Sequence, residues 1–165
     1  GSKGMYTEND AADARDLYGL SKLIGEVDYS NAVTLRTSII GHELNRSRSL
    51  VDWFLSQNDN VKGFKRAIFS GLPTVEIAQV INEFVIPHEQ LSGVYHLSAD
   101  PISKYNLLSL IAKVYKKEIN IETNDVFVID RSLDSSRFRR ETGYSPPAWE
   151  SLVRKMHAFW EMDKG

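Results

Sequence analysis

The chain has 165 residues, 42% of them hydrophobic and 25% charged, enough for one globular domain that buries roughly 70% of the surface its unfolded chain exposes. The absence of cysteine excludes a disulfide framework, thiolate zinc or iron–sulfur ligation and a cysteine nucleophile; it leaves the compartment undecided on redox grounds, with the cytoplasm as the default expectation. A formal net charge of −2, from 20 Lys+Arg and 22 Asp+Glu, lacks the basic excess of a nucleic-acid binder, and no apolar run approaches the roughly 20 residues of a membrane helix, so neither partner is expected.

Polar and small residues through Asp13 read as an irregular approach to a helix, with Asp10 or Asp13 as its N-cap and structure beginning near Ala14. From there to about Tyr29, Leu17, Leu20, Leu23, Ile24 and Val27 recur at three- and four-residue spacings, which predicts an amphipathic helix. The β-rich run Ala32 to Ile40, closed by Gly41, predicts a strand entering a loop. Leu50 to Leu55 suggests a short helix and Val61 to Phe69 one or two short strands around Gly63. Thr74 is placed to cap a helix whose apolar residues, Val75 to Val85, cover more than one face and predict packing on both sides.

A turn and strand over Ser92 to Ser98 precede a helix from about Lys104 to Lys117. Ile119 to Ile121 and Val126 to Ile129 suit strands. Ser145 and Pro146 then supply a cap and an N1 proline for a last helix with Trp149, Leu152, Val153, Met156 and Trp160 on one stripe. Strands alternating with helices predict an α/β fold. His42, His88, His96 and His157 show no metal-ligand spacing and read as structural or solvated, with no metal site expected. The basic clusters Arg137 to Arg140 and Lys113 to Lys117 read as solvated helix faces.

Tyr18 and Lys22, four residues apart on the first predicted helix, project from one face about one turn apart. A phenol titrates at about 10 in model peptides, and an adjacent ammonium favours the phenolate, so such a pair can deliver a proton to a carbonyl that receives hydride. A tyrosine and a lysine also meet at this spacing by chance, packed or solvated on an ordinary helix. The surroundings add to the pair: Tyr18-Gly19-Leu20-Ser21-Lys22, then Gly25-Glu26, then Leu35 to Gly41 resemble the extended short-chain dehydrogenase/reductase family, nearest to dTDP-4-dehydrorhamnose reductases and related sugar-nucleotide reductases and epimerases. Ser70-Gly71-Leu72-Pro73-Thr74, Gly93-Val94-Tyr95-His96-Leu97 and the stretch from Asp130 through Phe138 to Trp149 are similar to later family segments, so the resemblance covers most of the chain.

The resemblance implies that Tyr18 is the catalytic acid/base and that Lys22 binds the nicotinamide ribose of NADPH or NADH and tunes the phenol. Both would touch cofactor, with Thr37 and Ser38 along the nicotinamide and Ile40, Gly41 and Arg131 toward a nucleotide-sugar substrate. The family's Arg-Pro is absent around Arg131, which as a plain structural alternative would pair with Asp130 or Asp134. No G-x-x-G-x-x-G occurs anywhere, so the helix-terminus cradle for the dinucleotide pyrophosphate is missing, and tight cofactor binding by this chain alone is not expected.

The implied fold is thus the C-terminal part of an NAD(P)-binding Rossmann protein plus its smaller substrate-binding lobe. Residues 1–45 would hold the catalytic helix and last Rossmann-type strand with its loop, and 46–165 the substrate lobe with interleaved Rossmann elements. The implied activity is reduction of a 4-keto group on a nucleotide-activated deoxysugar. An epimerase or dehydratase of the same family is the nearest alternative, and a non-catalytic binding or assembly domain the alternative from another class. Incomplete cover on the first helix would also favour self-association.

Overall fold

The computed structural model describes residues 3–43 and 49–163; the expected boundary at 45/46 lies outside them. Helix α1 spans Leu17–Ile24, followed by strands β1 (Val33–Arg36) and β2 (Ile39–Ile40). Helix α2 is Leu50–Ser56, followed by β3 (Val61–Phe64), β4 (Ala67–Phe69) and β5 (Leu72–Pro73). Helix α3, Thr74–Val80, continues as a π-helical turn over Ile81–Val85 and leads to β6 (Gly93–His96), β7 (Ile102–Ser103) and α4 (Lys104–Tyr115). Strands β8 (Ile121–Asn124) and β9 (Ile129–Asp130) and helices α5 (Ser136–Thr142) and α6 (Trp149–Asp163) complete the order.

Most strand pairs are parallel: β1 with β6, β2 with β5, β3 with β8 and β4 with β9, while β7 joins β4 antiparallel. Parallel pairs need long crossovers, and β1 reaches β6 only after α2 and α3. The α/β class expected from alternating elements is what forms. Val51 and Phe54 of α2, Leu107, Leu108 and Ile111 of α4 and Val153 and Met156 of α6 form one buried cluster with Ile40 and Val61. Leu72, Val80, Tyr95, Leu97, Phe138, Tyr144 and Leu152 form a second, and Trp149 packs against both. No helix among the described residues is long and apolar enough to cross a membrane.

Several expected boundaries move. Asp16, not Asp10 or Asp13, caps α1, its carboxylate accepting from the Gly19 N–H at 2.6 Å. Asp10 instead closes its own turn, accepting from the Thr7 N–H at 2.8 Å. The helix ends at Ile24, not near Tyr29, where the Gly25 N–H turns back to Ser21 O. The single strand expected over 32–40 is broken at Thr37–Ser38 so that its halves pair with different strands.

Thr74 is the first residue of α3 rather than its cap; Pro73 occupies that place without a side-chain bond. Only one face of α3 is covered, burying Glu76 and Val80 while Ala78 and Ile81 face solvent. Pro146 precedes Pro147 and is therefore disfavoured in helical backbone, so α6 starts at Trp149 with the Leu152 N–H bonded to Ala148 O. Val126, Phe127 and Val128 are exposed between β8 and β9 instead of forming a strand. The Arg137–Arg140 run forms α5, and its arginines are not merely solvated. Arg137 lies 4.3 Å over the Tyr95 ring and Arg139 donates to Ser135 Oγ at 3.0 Å.

Helix α1 buries none of its side chains, leaving Leu17 88% and Ile24 83% exposed. Exposed apolar surface of this kind favours association. Light scattering of the 165-residue chain is expected to show an apparent mass that rises with concentration and falls back in the Leu17→Glu/Ile24→Glu variant. A strict monomer at every concentration would mean that this face is stable in water as it stands.

Candidate active site

Residues 3–16 form an arm laid across the sheet rather than a loose approach to α1. The Tyr6 N–H donates to Ser132 O at 2.9 Å and Tyr6 O accepts from the Asp134 N–H at 2.8 Å, a parallel bridge centred on Leu133. The Met5 N–H donates to Ser132 Oγ at 2.8 Å. Gly4 sits at φ +71°, and a Cβ there would fall 2.3 Å from the Asp130 carboxylate, so only glycine lets the arm approach this closely.

Farther along the arm, Glu8 accepts from the His96 N–H at 2.8 Å at the end of β6. His96 Nδ1 lies 2.8 Å from Tyr6 O and its Nε2 3.4 Å from Arg36 Nη1. A carbonyl on one side and a guanidinium on the other place the imidazole proton on Nδ1. Arg36, at the end of β1, forms a two-pronged pair with Glu26, both contacts 2.7 Å, the geometry that suits a planar guanidinium and a carboxylate. The bonds from Arg36 outweigh partial burial and hold the Glu26 carboxyl below its ordinary range.

Arm, α1 and the ends of β1 and β6 enclose an open cavity of about 600 Å³, lined among others by Tyr18, Lys22, Glu26, Arg36, His96 and Arg131. Tyr18 is 74% exposed and Lys22 Nζ stands 5.2 Å from its ring centroid, so the four-residue spacing does bring phenol and ammonium together at the cavity wall. Asp10, also on this wall, is held down to about 2 by its bond with the Lys3 ammonium and by two bonds from Thr7. Arg131 reaches the same cavity. The carboxylates of Asp130 and Asp134, its expected structural partners, are taken by Ser132 and Ser136.

The remaining expected site residues lie elsewhere. Thr37 and Ser38 form the break between β1 and β2, with Ser38 O accepting from the Leu72 N–H at 2.9 Å; neither lines this cavity. Ile40 and Gly41 line a second cavity of about 390 Å³ with Ser49, Leu50, Phe69 and Thr74. A Cβ on Gly41 would meet Thr74 Oγ1 at 2.9 Å, which fixes how closely β2 approaches α3. Glu26 and Arg36 were not anticipated as site residues. The only trace they leave in the sequence is a single charge inside each of two predicted elements, the helix to about Tyr29 and the strand from Ala32 to Ile40.

No protein-family model and no curated protein sequence matches the chain. Solved structures do. A hypothetical dTDP-4-dehydrorhamnose reductase from Sulfolobus tokodaii superposes with a TM-score of 0.69 and 24% identity, over 90% of this chain and 57% of that one. A dTDP-4-dehydrorhamnose reductase from Clostridium acetobutylicum gives 0.78 at 17% identity, over 98% and 61%. The chain shares its fold with part of these reductases. A dTDP-glucose 4,6-dehydratase from Bacillus anthracis, in complex with NAD, matches at 0.70 and 14% identity, over 99% of this chain and 58% of its own. The chain thus spans 57–61% of the length of these three structures.

The Glu26–Arg36 pair gives the site a pH dependence. Because the folded-state pKa of Glu26 is depressed, its contribution is complete above the unfolded value and lost as pH falls through the folded one. Denaturation measured from pH 7 down to pH 3 should show Glu26→Gln destabilised by about 1–2 kcal/mol at pH 7, with the difference from wild type shrinking toward pH 3. A difference independent of pH would show that the carboxylate charge is not what holds Arg36.

Proposed function

We propose that this chain carries the proton-donating helix and substrate side of an NAD(P)-dependent sugar-nucleotide oxidoreductase that reduces a 4-keto group on a nucleotide-activated deoxysugar, as in dTDP-4-dehydrorhamnose reductases. The observation that carries the reading is the meeting of Tyr18, Lys22 and Arg131 at one cavity, within a fold shared with such reductases.

The residues suit one end of the cofactor and not the other. A phenol and an ammonium on one exposed helix face fit a nicotinamide riboside, whose hydroxyls Lys22 Nζ would bind; Thr37 and Ser38, outside this cavity, would have to be brought along the ring in the complete enzyme. The pyrophosphate has no glycine-rich cradle in this sequence, so its binding falls to a segment outside these 165 residues. When bound, NADPH or NADH supplies the hydride. Tyr18 Oη gives its proton to the oxygen that becomes the alcohol. Arg131 offers its guanidinium to the nucleotide diphosphate, a planar donor set suited to phosphate oxygens, and Ile40 and Gly41 bound the sugar. The match to a dehydratase over 99% of the chain favours, as second reading, an enzyme of the same fold that returns the hydride to its product.

In a polypeptide that joins this chain to a glycine-rich dinucleotide-binding half, Tyr18→Phe should lower kcat about 100- to 10,000-fold with the cofactor KM unchanged. Lys22→Ala should lower kcat and raise the cofactor KM together. A loss of only two- or threefold in Tyr18→Phe would remove Tyr18 from the mechanism. The 165-residue chain alone should bind NADPH too weakly for calorimetry; a dissociation constant near 1 μM, about −8 kcal/mol, would contradict the division of cofactor contacts.

A further inference from the structure

Beyond β2 the chain enters a hydrogen-bonded cluster separate from the Tyr18 cavity. His42 Nδ1 lies 2.5 Å from Asp52 Oδ1 on α2, and His42 Nε2 lies 2.9 Å from Tyr115 Oη on the last residue of α4. Trp160 of α6 stacks on the imidazole at 4.3 Å and 9°, and His157, also on α6, meets the Tyr115 ring edge-on at 4.4 Å. The other Asp52 oxygen accepts from the Glu43 N–H at 2.9 Å and the Ser49 hydroxyl at 2.8 Å. One imidazole thus connects the segment after β2 to three helices.

Both ring nitrogens are committed and the His42 side chain is 10% exposed, so the imidazole has no nitrogen to offer a ligand. A neutral ring donating from Nδ1 to the carboxylate and accepting at Nε2 from the phenol satisfies every group in the chain. Burial, reinforced by the charges of Asp52 and Glu161, pushes the Tyr115 phenol up, so it keeps the proton it donates. Burial also raises Asp52, but the bonds from Glu43, His42 and Ser49 outweigh it and hold that carboxyl low.

The segment held in this way is the wall of the second cavity. Strand β2 is two residues long and pairs only with the two-residue β5, a ladder too short to fix its own outgoing chain. Helices α2, α4 and α6, in contrast, meet in the first hydrophobic cluster. We propose that His42, acting through Asp52 and Tyr115, is the positioning residue that fixes Ile40–Glu43 and thereby the shape of the cavity lined by Ile40, Gly41, Ser49, Leu50, Phe69 and Thr74. Its consequence for sugar-nucleotide binding rests on the proposed reading of Ile40 and Gly41 as substrate contacts; its consequence for the segment does not.

Amide hydrogen exchange and imidazole nitrogen shifts on the isotopically labelled 165-residue chain test the proposal. In Tyr115→Phe, which keeps the ring against His157, the amide of Glu43, which donates to Asp52 Oδ2, should exchange about tenfold faster, the equivalent of one lost hydrogen bond, while those of Leu108 and Ile111 stay unchanged. The Nε2 resonance of His42 should shift as it loses the bond from the phenol, while Nδ1, still facing Asp52, keeps the proton. Asp52→Asn should give the same local pattern and serves if the first variant does not fold. Unchanged exchange at Glu43, or one common factor across the whole chain, would overturn the proposal. In the full-length reductase, Tyr115→Phe should raise the sugar-nucleotide KM and spare kcat. If wild type lacks reductase activity while the local exchange contrast persists, the functional reading falls and the positioning role stands. Activity with no contrast overturns the positioning role alone.

Discussion

Four buried serine hydroxyls hold residues 130–135 in place, and the cavity beside Tyr18 and Lys22 depends on them. Ser70 Oγ accepts from the Leu133 N–H at 3.0 Å and Ser98 donates to Leu133 O at 2.9 Å. Ser135 Oγ lies 3.0 Å from Ser98 Oγ and donates to Ser98 O at 3.3 Å, and Ser132 donates to Asp130 Oδ1 at 2.7 Å while accepting from Met5. Each such bond adds about 0.5–1.5 kcal/mol, but a buried group left without its partner costs about 1–3 kcal/mol, so the cluster specifies one path for this backbone. Tyr6 then pairs along it, and the arm it begins leads to Asp16 and α1.

That dependence explains how α1 stays in place while burying no side chain. It is held at its ends. Asp16 caps the start, and beyond its last turn Thr34 Oγ1 bonds both N–H and O of Val27 at 2.9 Å, while Arg36 grips Glu26. Polar tethers at both ends leave the face that carries Tyr18 and Lys22 open to the cavity and leave the apolar residues Leu17 and Ile24 without cover. A helix fixed in this way presents Tyr18 and Lys22 from a defined backbone, as the proposed proton transfer would require.

The helices and most strands were legible in the sequence because Leu107, Leu108 and Ile111, or Leu152, Val153 and Met156, repeat with the period of the face they bury. Tyr18 and Lys22 were legible because four residues make one helical turn. The arm was not: its order comes from partners such as Ser132, 127 residues from Met5, and polar residues satisfied at that distance read locally as loop. Helix α5 escaped for a similar reason. It has Phe138 as its only apolar residue, four charged residues among seven and no side-chain cap, so it shows no period and is stabilised by tertiary contacts with Tyr95 and Ser135. Val126 to Val128 misled in the other direction, an apolar run that lies exposed between two short strands.

The placement of the arm against residues 130–135 can be trapped covalently, because the chain has no cysteine of its own. Tyr6 and Leu133 are partners across the parallel bridge, and neighbouring strands lie about 4.7–4.9 Å apart, a spacing inside the Cα range of about 4.4–6.8 Å that a disulfide spans. The account predicts that Tyr6→Cys/Leu133→Cys oxidises to an intramolecular disulfide in the folded monomer and unfolds at a higher denaturant concentration than its reduced form. A double variant that stays reduced, or crosslinks only between molecules, would contradict the account by showing that Tyr18, Lys22 and Arg131 are not gathered at one cavity by this arm.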